Sequence, residues 1–244
     1  MLFRSISICL GCGGLALSQF SQSVLAQVVY ISNWAIFALY SIAPVRLKNR
    51  GLLGVVAMGL GECMLPHLFA VLLVCLRADL AIPTSWLSLI AIWSFSAGLR
   101  GILWHQLKDF ENDRMAGVRT LAATASTQKL LFAARWFIFP VEISSFAAVL
   151  WLQNEPALWI LMAVYLLTDY FRWKLWHTPV VIVSPLKHDR LLLFEYYDCF
   201  YILGLCLVAA RREALNLILL PIVIAFYGRR IGWWWRDVRA LIGH

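Results

Sequence analysis

The densest polar stretch of the chain runs from His105 to Thr120 and reads His-Gln-Leu-Lys-Asp-Phe-Glu-Asn-Asp-Arg-Met-Ala-Gly-Val-Arg-Thr. At helical spacing His105, Asp109 and Asp113 fall at i, i+4 and i+8, which stacks the two carboxylates about 6 Å apart along the axis on one face. Carboxylates so placed repel unless a cation lies between them, and one or two carboxylates plus phosphate oxygens are the ligands Mg2+ prefers. Arg114 and Arg119 flank the pair and can hold phosphate oxygens in a planar fork, while Gly117 lets a helix end there. The spacing points to a Mg-diphosphate site with Asp109 and Asp113 as metal ligands. A solvated loop whose charges only mark one side of a membrane is the competing reading.

The surrounding chain must hold this loop from within a bilayer. Of 244 residues, 62% are hydrophobic and only 14% charged, and mean hydropathy is +0.77, which excludes a soluble enzyme. Apolar runs near residues 5–20, 24–42, 54–76, 86–104, 130–152, 157–173, 191–210 and 214–228 predict about eight transmembrane helices in one all-α, polytopic domain spanning 1–244. With the N-terminus inside, only Arg77, Arg211 and Arg212 fall outside; the other 18 of the 21 basic residues face the cytoplasm. Both termini and the inner loops, about 43–53, 105–129 and 174–190, are then cytoplasmic, as expected of a multi-pass protein of the inner (cytoplasmic) membrane. The net charge of +8 fits topology and attraction to anionic lipid or substrate rather than nucleic acid. A second reading of residues 1–26 is a cleavable signal, with Val24-Leu25-Ala26 before the cut. The six cysteines all lie in or beside apolar stretches, so neither a disulfide framework nor a zinc site is indicated.

Ionisable groups inside spans are costly and mark a cavity by default. Glu62 and His67 bracket Pro66 on the third span, Glu142 follows Pro140 on the fifth, Asp169 is on the sixth, and Glu195 and Asp198 share a face of the seventh. A snorkelling or helix-capping carboxylate near the interface is the alternative for each.

The run Asp109-x-x-x-Asp113-Arg114-x-x-Gly117-x-Arg119-Thr120-Leu121 resembles the second aspartate-rich motif of the UbiA superfamily of intramembrane prenyltransferases, closest to the menaquinone-pathway 1,4-dihydroxy-2-naphthoate prenyltransferase-like branch. Upstream, Leu39-Tyr40-Ser41-x-x-Pro44-x-Arg46-Leu47-Lys48-x-Arg50-Gly51-x-x-Gly54 is similar to that family's Tyr-Pro-Lys segment. The resemblance covers roughly residues 25–210. It implies a helical bundle around a cavity open to lipid, and transfer of a prenyl chain from its diphosphate to an aromatic or other lipid-soluble acceptor. It also implies Mg2+ on Asp109 and Asp113; substrate contacts from Tyr40, Arg46, Lys48, His105, Gln106, Arg114 and Arg119; and Glu62 or Glu142 as the carboxylate that deprotonates or orients the acceptor. The chain departs from the family in two ways. Its first acidic residue is Glu62, so the family's first aspartate-rich motif and the two helices carrying it are not in this sequence, and His105-Gln106 replaces a pair of asparagines. The first departure leaves room for two alternatives, a catalytically impaired or non-catalytic membrane subunit and a UbiA-type terpene cyclase.

Overall fold

The computed structural model describes residues 23–186 and 189–242. The apolar run near 5–20, the signal reading of 1–26 as far as Gln22, and His188 lie outside the described residues. The all-α expectation holds. Four helices are long and apolar enough to cross a membrane: α1 (Val24–Ser41), α2 (Leu52–Arg77), α3 (Thr84–Lys108) and α6 (Thr127–Gln153). Two short helices, α4 (Phe110–Met115) and α5 (Leu121–Thr124), occupy the polar connection between α3 and α6. Then follow α7 (Pro156–Trp176), α8 (residues 196–212), a 3-10 turn (Ala214–Ile218) and α9 (Leu219–Ile242). Strands β1 (Val180–Val181) and β2 (Arg190–Leu191) form a two-residue parallel pair, Val180 opposite Arg190.

Three of the expected spans differ from their sequence reading; the one expected near 191–210 is α8, which starts only at residue 196 and is not among the four long apolar helices. Asp169, Arg172 and Lys174 lie inside α7, which is therefore not among the four apolar helices. The last span does not stop near residue 228 but continues as α9 through Trp233-Trp234-Trp235, so the terminal aromatic cluster is helical. The described chain divides within α6 into two compact units, Met1–Val149 and Leu150–His244.

In the first unit, α2 and α3 approach closely because glycines face each other. A Cβ on Gly98 would lie 2.9 Å from the Cys63 Cβ and 3.1 Å from the Gly59 Cα. Small residues at such a crossing let van der Waals contact replace the hydrophobic driving force that lipid cannot supply. Outward, Trp136, Phe137 and Leu52 are more than half exposed, a surface that suits hydrocarbon and not water.

Prolines distort two of the long helices in the same way. Pro66 and Pro140 have no amide hydrogen, and their rings crowd the carbonyls four residues back, Glu62 and Trp136. Both helices respond by widening just upstream into π turns, Gly59–Met64 and Ala134–Ile138, in which Leu65 N–H donates to Leu60 and Phe139 N–H to Ala134. Such one-turn π-bulges recur at functional sites, and the first of them carries Glu62. Beyond it, the His67 ring Nδ1 lies 2.6 Å from the Cys63 carbonyl.

Two buried charge groups hold the helices in register. Arg100 was expected at the cytoplasmic end of its span but is wholly buried inside the first unit. Its Nε and Nη2 donate to the Glu142 carboxylate at 2.6 and 2.5 Å, with both side chains fully enclosed. In the second unit Arg172, also expected in the inner loop, is 1% exposed; it donates to Asp237 at 2.8 Å, Asp169 at 3.0 Å and Glu195 at 2.8 Å. Arg190 reaches the same Glu195. This network joins α7, α8 and α9, so Asp169 and Glu195 are structural anchors rather than open cavity groups.

Removing one partner of the Arg100–Glu142 pair strands a buried charge. Arg100→Met should destabilise the chain by about 3–5 kcal/mol. The double variant Arg100→Met, Glu142→Leu should recover most of that loss, read as melting temperature in detergent.

Candidate active site

Two loops meet through their backbones. After α1 the chain makes a 3-10 turn (Leu47–Asn49), with Arg46 left-handed at φ 38° and Gly51 at φ 52°. The Arg50 guanidinium closes the loop by donating to the Val45 carbonyl at 2.7 Å. Gly51 then pairs with Thr120 as a parallel bridge, its N–H donating to the Arg119 carbonyl at 3.4 Å. A positive φ just before the first residue of α2 favours glycine at 51. Gly54 is needed for a different reason, since a Cβ there would lie 2.8 Å from the Leu47 carbonyl oxygen. The segment bearing Arg46, Lys48 and Asn49 is thus laid against the aspartate-rich loop about 70 residues later in the chain.

The aspartate-rich loop is not the single helix that the spacing predicts. The helix breaks at Asp109, whose φ of −97° and ψ of 8° end α3 and start α4. The i to i+4 rungs survive the break, however, because Asp109 N–H donates to the His105 carbonyl at 2.9 Å and Asp113 N–H to the Asp109 carbonyl at 2.8 Å. Gly117, at φ 67°, ends the turn in the left-handed region, as expected of a C-terminal glycine. Thr120 caps α5, accepting from Ala123 N–H at 3.3 Å.

Side chains separate into three groups. Among the described residues, the side chains of Asp109, Glu111, Asp113, Arg114, Arg119, Arg46 and Lys48 make no hydrogen bond or ion pair. Asp109 is exposed and Asp113 half-buried. Tyr40 stands near the end of α1, and Glu62 is exposed on the π turn of α2. The second group consists of residues tied elsewhere. Gln106 is buried, its Oε1 accepting from Ala122 N–H at 3.3 Å, so it staples α3 to α5. Glu142, expected as a candidate for acceptor activation, is held by Arg100 and has no exposed surface. His105 is exposed, its ring 5.0 Å from that of Trp104, and Lys108 lies over the same indole at 3.8 Å. The third group was not singled out from sequence. Asn49 has a buried Oδ1 without a partner, and Arg100 is a structural cation whose apolar setting in Gly98-Leu99-Arg100-Gly101-Ile102 was its only signal.

Oppositely charged side chains on adjacent loops that do not neutralise one another can take a ligand bearing both a cation and an anion. No group of three or more His, Cys, Asp or Glu able to share a metal occurs among the described residues. Two free carboxylates suit Mg2+, which keeps several waters and takes one or two carboxylates plus phosphate oxygens.

Apolar helices long enough to cross a bilayer, carrying this open cluster of charge, define an all-α integral membrane protein. The chain belongs to the UbiA prenyltransferase family, whose model matches residues 2–180. The match begins nearer the N-terminus and ends earlier than the 25–210 expected from the motifs. No curated protein matches the chain. No solved structure matches it.

Gly54→Ala should displace the Leu47–Asn49 turn, because the new methyl meets backbone that cannot rotate away; overpacking of this kind costs about 1–3 kcal/mol. Gly232→Ala, with open space around the added carbon, should be neutral or mildly stabilising. Melting of both variants in detergent checks the contrast.

Proposed function

We propose that this membrane prenyltransferase-family protein moves a prenyl chain from its diphosphate to an aromatic or other lipid-soluble acceptor, with the diphosphate seated between the two bridged loops. The observation that carries this is the set of unpaired charges on segments joined by the Gly51–Thr120 bridge. Asp109 and Asp113 would hold Mg2+, and the metal would supply charge stabilisation to the departing diphosphate. Arg46, Lys48, Arg114 and Arg119 would bind and orient the phosphate oxygens, adding fixed positive charge where negative charge develops. The Asn49 amide oxygen is a further hard donor on the same loop. The Tyr40 ring would face an allylic cation, and Glu62, exposed on its π turn, would take the acceptor's proton. In this reading Glu142 positions α6 and takes no part in the chemistry. The site faces the cytoplasm, the acceptor and prenyl tail enter from lipid, and the menaquinone-pathway branch indicates an aromatic acid or quinone precursor as the first acceptors to try.

A non-catalytic membrane subunit is the second reading, favoured by the lack, among the described residues, of any group of three or more His, Cys, Asp or Glu able to share a metal.

The test is incorporation of labelled prenyl diphosphate by the purified chain in liposomes, across a panel of acceptors. Transfer should need Mg2+ and stop with EDTA. Asp109→Asn and Asp113→Asn should each lower kcat by about 10²–10³-fold without lowering the melting temperature. Absence of transfer with every acceptor, from a chain that melts cooperatively, would favour the non-catalytic reading.

Glu62 and Glu142 should separate cleanly. Glu62→Gln should reduce kcat with melting unchanged, whereas Glu142→Gln should lower melting and leave the kcat of the folded fraction close to that of the unaltered chain.

A further inference from the structure

In the second unit, the turn between α6 and α7 packs against the end of α8 around one carboxylate. Glu155 is 8% exposed, and Arg211 and Arg212 donate to its two oxygens at 2.6 and 2.8 Å. Their own side chains are 64% and 72% exposed. One arginine would neutralise Glu155, so the pair leaves a surplus positive charge, and each guanidinium has five donors of which Glu155 takes one. Glu155 also lines two cavities. One, of about 330 Å³, is lined by apolar Leu158, Leu205 and Val208 and by polar Gln153, Arg212 and Asn216. The second, of about 510 Å³, opens beside Trp151 and Trp159, exposed indoles of the kind that mark a membrane interface. The Gln153 amide donates to the Tyr201 hydroxyl at 2.7 Å, while its Oε1 is buried with no partner.

We infer that the Glu155–Arg211–Arg212 pocket binds the headgroup of an anionic glycerophospholipid with a hydroxyl-bearing headgroup, of the phosphatidylglycerol type. The surplus charge of the arginines matches the single charge of a phosphodiester. The orphaned Gln153 Oε1 calls for a hydrogen-bond donor, which a glycerol hydroxyl supplies and a choline does not. The apolar wall of Leu158, Leu205 and Val208 takes the start of an acyl chain, which a free phosphate lacks. A lipid seated there would staple the α6–α7 turn to the end of α8.

Native mass spectrometry of the full chain in detergent tests this with phosphatidylglycerol, phosphatidylmethanol, phosphatidylcholine and inorganic phosphate. Phosphatidylglycerol should be retained best, phosphatidylmethanol next and phosphatidylcholine least. Arg211→Gln and Arg212→Gln should each cut the preference for phosphatidylglycerol over phosphatidylcholine about fivefold. The triple variant Glu155→Gln, Arg211→Gln, Arg212→Gln, which strands no carboxylate, should abolish it while melting like the unaltered chain. Gln153→Met should erase only the advantage of phosphatidylglycerol over phosphatidylmethanol. Equal retention of phosphatidylglycerol and phosphatidylcholine, an unchanged preference in the triple variant, or displacement of the lipid by millimolar inorganic phosphate would overturn the inference.

Discussion

A charge taken out of water must be matched by an opposite charge in good geometry, or it is lost to neutralisation. Among the described residues, the way the ionisable groups answer to that constraint separates scaffold from site. Arg100 and Glu142 are fully buried and paired with one another within the first unit. Arg172 does the same with Asp169, Glu195 and Asp237 in the second. These groups have nothing left to offer a substrate. On the loops at 46–51 and 109–119, acids and bases stand on adjoining segments without pairing. Since both signs are present and neither is spent, this is where the proposed ionic ligand would complete the electrostatics.

The backbone deformations serve the same division. Pro66 and Pro140 each force a widened turn upstream, a cost that the helix meets by shifting rungs from i−4 to i−5 rather than losing them. On α2 the widened turn carries Glu62 and is flanked by Gly59 and Gly61, both buried, so helix packing and the presentation of a carboxylate come from one feature. The Glu142 position shows how easily proximity to a proline misleads. It stands two residues after a proline, whereas Glu62 stands four before one, and the Glu142 side chain turns to Arg100.

Much of this molecule was legible in the chain itself. Hydropathy and the length of the apolar runs determine an all-α membrane protein, because lipid offers no hydrogen bonds and only helices of about 20 residues satisfy themselves across it. The spacing of Asp109 and Asp113, with Gly117 after them, determines a carboxylate pair on a turn that ends at a glycine, because i and i+4 are neighbours in any helical backbone. Those are local facts, and local sequence encodes them. Which carboxylate is spent and which is free is not local. Arg100 meets Glu142 across 42 residues, and Gly51 meets Thr120 across 69, and no periodicity within either segment records its partner. Only the tertiary structure could turn Arg100 from a topology marker into a buried counter-ion, assign Gln106 to the backbone of Ala122, and lay Gly51 against Thr120, because pairing in a low-dielectric interior depends on distance in space and not on distance along the chain.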